Sequence, residues 1–174
     1  MSRRLMLRNE SVFGNRIYIF RDGQYGDWLN GTEMSSIQCG GTTYYSYTIS
    51  LDNNEIYIVM NSSRLIYRAF YVPLTAINEP IKKLGISMRG HCESPWPKVS
   101  FGVAETMINS TGGNSFMGTE AFTTYQETGL TKDFNVDTEM VIDENVSPAN
   151  FAYIVMNAYS TQSYARINNF WVEV

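Results

Sequence analysis

Apolar side chains recur at every second position along much of this chain. Lys98-Val-Ser-Phe-Gly-Val103 sets Val99, Phe101 and Val103 against Lys98, Ser100 and Gly102. Lys83 to Arg89 turns Leu84, Ile86 and Met88 to one side, and Thr43 to Leu51 sets Tyr45, Tyr47, Ile49 and Leu51 opposite Tyr44, Ser46, Thr48 and Ser50. Successive side chains of a strand point to opposite faces, so this period of two predicts half-buried strands of a two-layer protein. Three further segments, Ile56–Met60, Leu65–Val72 and Phe151–Met156, are apolar on both faces. They suit central strands or strands covered by a neighbouring subunit.

Turn residues divide these segments. Asp52-Asn-Asn54 and Asn61-Ser-Ser63 read as hairpin turns, and Asn30-Gly31, Gly40-Gly41 and Thr111-Gly-Gly-Asn114 mark further turns or loops. Pro73, Pro80, Pro95 and Pro97 bound strands, since proline lacks a ladder donor. The count is about ten strands, spaced as in an antiparallel two-sheet β-sandwich of jelly-roll type. With no repeat or composition break, the expectation is one all-β domain over residues 11–174, preceded by a basic segment, 1–10, that is an N-terminal arm or an edge strand.

The C-terminal strand carries a parity fault. In Ala165-Arg-Ile-Asn-Asn-Phe-Trp-Val-Glu-Val174, Ala165 and Ile167 share one parity while Phe170, Val172 and Val174 share the other. One extra residue near Asn168-Asn169, a β-bulge, keeps all five on the core face. Trp171 and Glu173 then point away from the core. Trp171 becomes an interface candidate, or is covered by its own chain.

Composition narrows the chemistry. Of 174 residues, 44% are hydrophobic, 14% aromatic and 17% charged, too apolar and aromatic for a disordered chain. Thirteen Lys and Arg against seventeen Asp and Glu give a net charge of −4, the wrong sign for gripping a phosphate backbone. Met1–Glu10 holds only Leu5-Met6-Leu7 as an apolar stretch, too short for a secretory signal, and no later run reaches the length of a membrane span. The expectation is synthesis in a cytoplasm, without membrane insertion.

Catalytic signatures are sparse. One histidine, His91, and two cysteines, Cys39 and Cys92, fall short of a zinc ligand set, so His91 reads as a loop histidine beside a semi-buried thiol. Whether Cys39 and Cys92 pair is left open. There is no Gly-X-Ser-X-Gly elbow and no phosphate-binding loop. Glu105, Glu120, Glu127, Asp133, Asp137, Glu139, Asp143 and Glu144 supply carboxylates for a glycoside hydrolase, but they read as solvated faces and turns.

Aromatics point elsewhere. Tyr25, Trp28 and Trp96 fall in turn-rich stretches, with Asp22, Gln24, Asp27 and Asn30 as polar neighbours. A sugar ring stacks its apolar C–H face on an aromatic plane while its hydroxyls pair with Asp, Asn and Gln. These residues are therefore glycan-binding candidates. The competing role for Trp28 and Trp96 is to cap the ends of the sandwich, which the general burial of large aromatics favours. Asp22, Asp27 and Asn30 also offer oxygens for a structural Ca²⁺, although their spacing matches no EF-type loop. No other cofactor is expected.

Arg16-Ile-Tyr-Ile-Phe-Arg-Asp-Gly-Gln24 with Trp28 and Gly31, the Asn54–Ile58 strand, Tyr71 to Ile86, and the paired ending Phe151–Met156 and Ala165–Glu173 together resemble modules of phage and prophage tail and minor structural proteins. The ending is also similar to that of galactose-binding-like and carbohydrate-binding sandwiches. Asn168-Asn169 stands where that pattern has an acidic turn. The resemblance implies a jelly-roll sandwich, association with a virion after synthesis in a bacterial host, and glycan contact.

Taken with the two-sided apolar strands and low charge, the leading expectation is a non-enzymatic virion structural or decoration protein. It would assemble with itself or other virion proteins, with Arg3, Arg4 and Trp171 as interface candidates. The alternative is a stand-alone carbohydrate-binding module using Tyr25, Trp28 and Trp96, and a glycoside hydrolase is a distant third.

Overall fold

The structure is a computed structural model. It describes residues 12–13, 15–38, 46–61, 66–92, 98–105, 124–128, 133–143, 149–158 and 162–174. Arg3, Arg4, Cys39 and Trp96 lie outside the described residues, as does the segment 1–10.

Thirteen strands form two antiparallel sheets among the described residues. The eight-stranded sheet holds β1 (Val12–Phe13), β2 (Arg16–Arg21), β3 (Gln24–Tyr25), β5 (Ser46–Asp52), β6 (Glu55–Asn61), β8 (Lys83–His91), β11 (Asp133–Val141) and β13 (Tyr164–Glu173). The five-stranded sheet runs β10 (Thr124–Thr128), β9 (Lys98–Ala104), β12 (Phe151–Ala158), β7 (Ile66–Pro73) and β4 (Ser35–Gln38). The chain is thus an all-β, two-sheet antiparallel sandwich, as its alternation predicts.

Between the sheets sits one core. Phe20, Ile56, Ile58, Met60, Leu84, Ile86, Met88, Ile167, Phe170 and Val172 face Phe70, Val72, Val99, Phe101, Val103, Ala152, Ile154 and Met156. Full burial of such a side chain is worth about 1.5–3 kcal/mol. Leu51 departs from its expected inward position: it lies at the end of edge strand β5 and is 52% exposed. The segment Asp133–Val141, whose carboxylates read as solvated faces and turns, is a nine-residue strand on β8 with Asp133, Asp137 and Glu139 on its exposed side. Its Phe134, Val136 and Met140 pack on the core.

β13 organises the larger sheet. One of its edges pairs with β8 along its length; the other is shared, residues 164–167 pairing with β6 and 169–173 with β2. The register to β8 slips between Ile167 and Asn169, leaving Asn168 unpaired. This is the bulge that the parity fault predicts, and Ala165, Ile167, Phe170 and Val172 are all buried in the core. A compensating slip in β2 lets Ile19 and Phe20 both be buried opposite Phe170.

The strand Phe151–Met156 buries both faces within this one chain. Ala152, Ile154 and Met156 join the core, while Tyr153 and Val155 on the other face are only 1% and 2% exposed. The chain covers this face itself, so the apolar pattern here supplies no free surface for a neighbouring subunit.

The hairpin turns follow from residue type. Asn53 and Asn54 adopt φ of 52° and 61° between the paired Asp52 and Glu55, the left-handed pair that a two-residue turn of type I′ requires. Asp22 and Gly23, with φ of 51° and 82°, do the same between β2 and β3.

Ile167 and Asn169 already pair with the consecutive Met88 and Ser87, so deleting Asn168 leaves a regular ladder with Ala165, Ile167, Phe170 and Val172 still on one face. Deleting both Asn168 and Asn169 instead moves Phe170 and Val172 to the outward parity or the strand out of register. Denaturant unfolding should show loss of most of the folding free energy for the double deletion and a much smaller loss for the single one, with Asn168→Gly within about 1 kcal/mol of the parent. Equal stability of the two deletions would refute this reading of the bulge.

Candidate functional site

The residues on the outward parity of the larger sheet form a distinct surface. Because cross-strand partners share a face, the register lays them out in rows. The first row runs Asp133, His91, Tyr164, Val59, Thr48 and the second Asn135, Arg89, Arg166, Tyr57, Ser50. A third holds Asp137, Ser87, Asn169 and Arg21, a fourth Glu139, Gly85, Trp171 and Tyr18, and a fifth Val141, Lys83, Glu173 and Arg16. Strands lie about 4.8 Å apart and successive rows about 6.6 Å apart. Four aromatic rings therefore share one face with small polar residues between them.

Trp171 lies flat on this face because its neighbour on β8 is Gly85. A Cβ at Gly85 would come within 2.1 Å of the indole, so the ring occupies the space that a side chain would take. Over the same ring sits the guanidinium of Arg16, 3.8 Å from the centroid. Trp171 is consequently 7% exposed and stands outside the core cluster. Trp171 is thus on the outward face expected from the sequence and takes the second of its two expected roles, covered by its own chain, through an arginine of β2.

Two ionic clusters flank the third row. Arg16 and Lys83 alternate with Glu139 and Glu173: Arg16 is 3.2 Å from Glu139 and 3.9 Å from Glu173, and Lys83 lies 3.3 and 3.5 Å from the same carboxylates. The hydrogen bond and charge of Glu139, aided by Glu173, raise the Lys83 ammonium above its ordinary value. On the other side Arg166 donates to Asp52 at 2.7 Å and reaches Glu55 at 3.5 Å, while Arg89 donates to Glu55 at 3.0 Å. The Asp52 hydrogen bond pushes the Arg166 guanidinium further up, and that group stacks 4.2 Å from the Tyr57 ring. Each cluster balances two cations against two carboxylates, so the face carries little net field.

In the third row, between the clusters, Asn169 holds a buried Oδ1 with no hydrogen-bond partner. An unpaired acceptor of this kind costs about 1–3 kcal/mol unless a donor reaches it. At the upper edge, His91 Nδ1 lies 2.6 Å from Asp133 and its ring stacks on Tyr164. His91 is thus the last residue of strand β8, in contrast to the loop position read from sequence. Cys92 beside it is buried. Among the described residues no cluster of three or more His, Cys, Asp or Glu side chains could hold a metal ion.

The sequence candidates occupy a different place. Trp28 sits in a 3₁₀ turn, Asp27–Leu29, and is buried in the core at 8% exposure. Its Nε1 donates to the Tyr18 carbonyl at 2.7 Å. Gly26 makes this possible, since a Cβ there would meet the Tyr18 oxygen at 2.3 Å and the indole nitrogen at 2.4 Å. Tyr25 is half-buried, edge-on to Phe20, and its hydroxyl accepts from the Met34 amide. These two rings therefore close the end of the sandwich, where the sequence had also offered them as stacking platforms. Asp22, paired with Arg21 at 3.1 Å, and Asp27 and Asn30 are exposed around them.

Sequence reasoning missed Tyr18, Tyr57, Tyr164 and Arg166. The signal lay in parity: Tyr164-x-Arg166 fills the outward positions beside the inward Ala165 and Ile167, whereas no face was assigned to the strand that carries Arg16-x-Tyr18.

No family model matches the chain, and no curated protein matches it. Solved structures do. A mutant of CBM29-2, a family 29 carbohydrate-binding module, complexed with cellulohexaose superposes with a TM-score of 0.51 at 13% identity, over 90% of this chain and 89% of that one. A second CBM29-2 mutant gives 0.50 at 13% identity over 92% of each chain, and a third 0.51 at 13% over 90% and 83%. The chain has the β-sandwich fold of these modules. At this identity the likeness speaks to the fold alone.

Burial raises the Tyr25 hydroxyl from 10.0 to about 12, with the Glu33 charge adding to it and the Met34 hydrogen bond opposing. Its stabilisation is complete below about pH 10, then lost as the pH rises towards 12, because the unfolded chain gives up the proton first. Allowing for partial exposure the loss is about 1–2 kcal/mol. Tyr25→Phe should show a correspondingly shallower fall in denaturant-measured stability between pH 9 and pH 11.5. Parallel pH profiles would show that Tyr25 does not carry it.

Proposed function

We propose that this chain is a non-catalytic carbohydrate-binding module and that the outward face of the eight-stranded sheet is its glycan surface. One observation carries the reading: Tyr18, Tyr57, Tyr164 and Trp171 share that face, with the hydrogen-bonding groups of Ser87, Asn169 and Asp137 between them. Aromatic planes supply apolar contact to sugar C–H faces, and the row between them supplies donors and acceptors for hydroxyls. The fold likeness to a module complexed with cellulohexaose supports the same reading.

The balanced ion clusters and the net charge of −4 favour an uncharged polysaccharide over a polyanion, which the chain as a whole repels. Glu139, Glu173, Asp52 and Glu55 are tied to Arg or Lys, and Asp133 to His91. That arrangement suits positioning better than acid–base work.

The virion reading rests on two-sided apolar strands seeking a partner and on sequence resemblance. Tyr153 and Val155 are already covered within the chain, and the solved structures it matches are carbohydrate-binding modules. The glycan reading therefore takes precedence.

Calorimetric titration with cellohexaose and mannohexaose, against polygalacturonate as the anionic comparison, tests it. A neutral hexaose should bind, and Tyr57→Ala or Trp171→Ala should weaken binding about tenfold or more, equivalent to about 1.4 kcal/mol, with the β-type circular dichroism retained. Trp28→Ala should instead cost about 3–5 kcal/mol of folding stability. Failure of every neutral polysaccharide to bind at millimolar concentration would sink the proposal.

A further inference from the structure

Trp171 is the largest aromatic on the proposed glycan face, and its two sides are both occupied. The indole rests on the β8 backbone at Gly85, and the guanidinium of Arg16 covers the side turned away from the sheet at 3.8 Å. A sugar cannot stack on that ring while Arg16 is there. We propose that Arg16 is an intramolecular cap on Trp171, which a glycan must displace, and that it sets the affinity of this face. The inference rests on the glycan reading above.

Among the described residues three arginines cover rings here: Arg16 and Arg21, the latter 4.7 Å from Tyr18 and paired with the exposed Asp22, are held more loosely than Arg166, and Arg16 is the one over Trp171. Arg166 over Tyr57 is fixed by a 2.7 Å bond to Asp52 and by Glu55, whose side chain is only 10% exposed. Arg16 is held by Glu139 at 3.2 Å and Glu173 at 3.9 Å, and Arg16 and Glu139 are 38% and 43% exposed. Exposed pairs of this kind contribute little and are screened by salt. Both carboxylates also have Lys83 as a second cation, so neither is left without a counter-charge when Arg16 swings away. The cap is therefore loosely pinned, and its departure strands no charge.

An unusual sign follows. Salt that screens the Arg16 pairs loosens the cap, so a neutral oligosaccharide should bind more tightly as salt rises. A ligand held by charge would weaken instead.

The test combines a ligand-free and a ligand-bound measurement. Acrylamide quenching of tryptophan emission, with Trp171→Phe subtracted to isolate Trp171, should increase in Arg16→Ala. Cellohexaose affinity should rise about two- to fivefold, the factor expected from releasing one exposed cation–π contact. In the parent, raising NaCl from about 0.05 M to about 1 M, where the screening length is roughly 3 Å, should tighten binding, and Arg16→Ala should lose that dependence. Glu139→Gln, which loosens the pin and leaves the arginine in place, should move quenching and affinity in the same direction by less.

Unchanged quenching in both variants overturns the cap whether or not glycan binds. Raised quenching with weakened binding overturns it too, by making Arg16 a ligand contact. Binding by Arg16→Ala alone supports it. Absence of binding by parent and variants alike sinks the glycan reading, and the gating with it, even where quenching shows the ring uncovered.

Discussion

One unpaired residue, Asn168, lets β13 serve as the axis of the larger sheet. A strand alternates strictly, so a ten-residue strand with its apolar positions out of phase across the middle would bury half of them and expose the rest. The bulge inserts one residue and brings Ala165, Ile167, Phe170 and Val172 to the same side. The same step phases the opposite side, placing Tyr164, Arg166, Asn169, Trp171 and Glu173 together on the outward face. β13 pairs with β2, β6 and β8, so its phase is imposed on all three neighbours. Core and candidate surface are consequences of one local irregularity.

On the outward face, flatness is built from an absence. Gly85 has no side chain, and the indole of Trp171 lies down in the room that leaves. A tryptophan standing upright on a sheet presents an edge; one lying on glycine presents a plane. The surrounding rings are each stacked by a nitrogen-bearing group: Arg16 on Trp171, Arg21 on Tyr18, Arg166 on Tyr57 and His91 on Tyr164. The cations Arg16 and Arg166 are in turn paired with carboxylates, so the surface is charged in detail and close to neutral in sum. That balance shapes the expectation of an uncharged ligand.

The fold was legible because burial reports directly in sequence. Leu84, Ile86 and Met88, or Val99, Phe101 and Val103, alternate with small or polar residues, and each sits where the alternation puts it. Asp52-Asn-Asn54 reads as a turn because asparagine tolerates positive φ, and both asparagines adopt it. The carboxylate-rich strand β11 was harder to read, since its outward Asp and Glu obscure Phe134, Val136 and Met140. The candidate surface was harder still. Turn-rich surroundings drew attention to Tyr25 and Trp28, yet a turn can fold its aromatic inward, and the Trp28 Nε1 finds a carbonyl partner there.

Sequence alone determined the all-β character, the two-layer sandwich, the Asp52–Asn54 turn and the bulge in the last strand, because each follows from the parity or backbone preference of neighbouring residues. Tertiary structure decided which aromatics share a surface, which are covered and by what. Tyr18, Tyr57, Tyr164 and Trp171 come from three strands, and Arg16 reaches Trp171 across a strand pair separated by more than 150 positions in the chain. Such contacts depend on strand order and register, which are set by long-range pairing and leave no mark in local alternation.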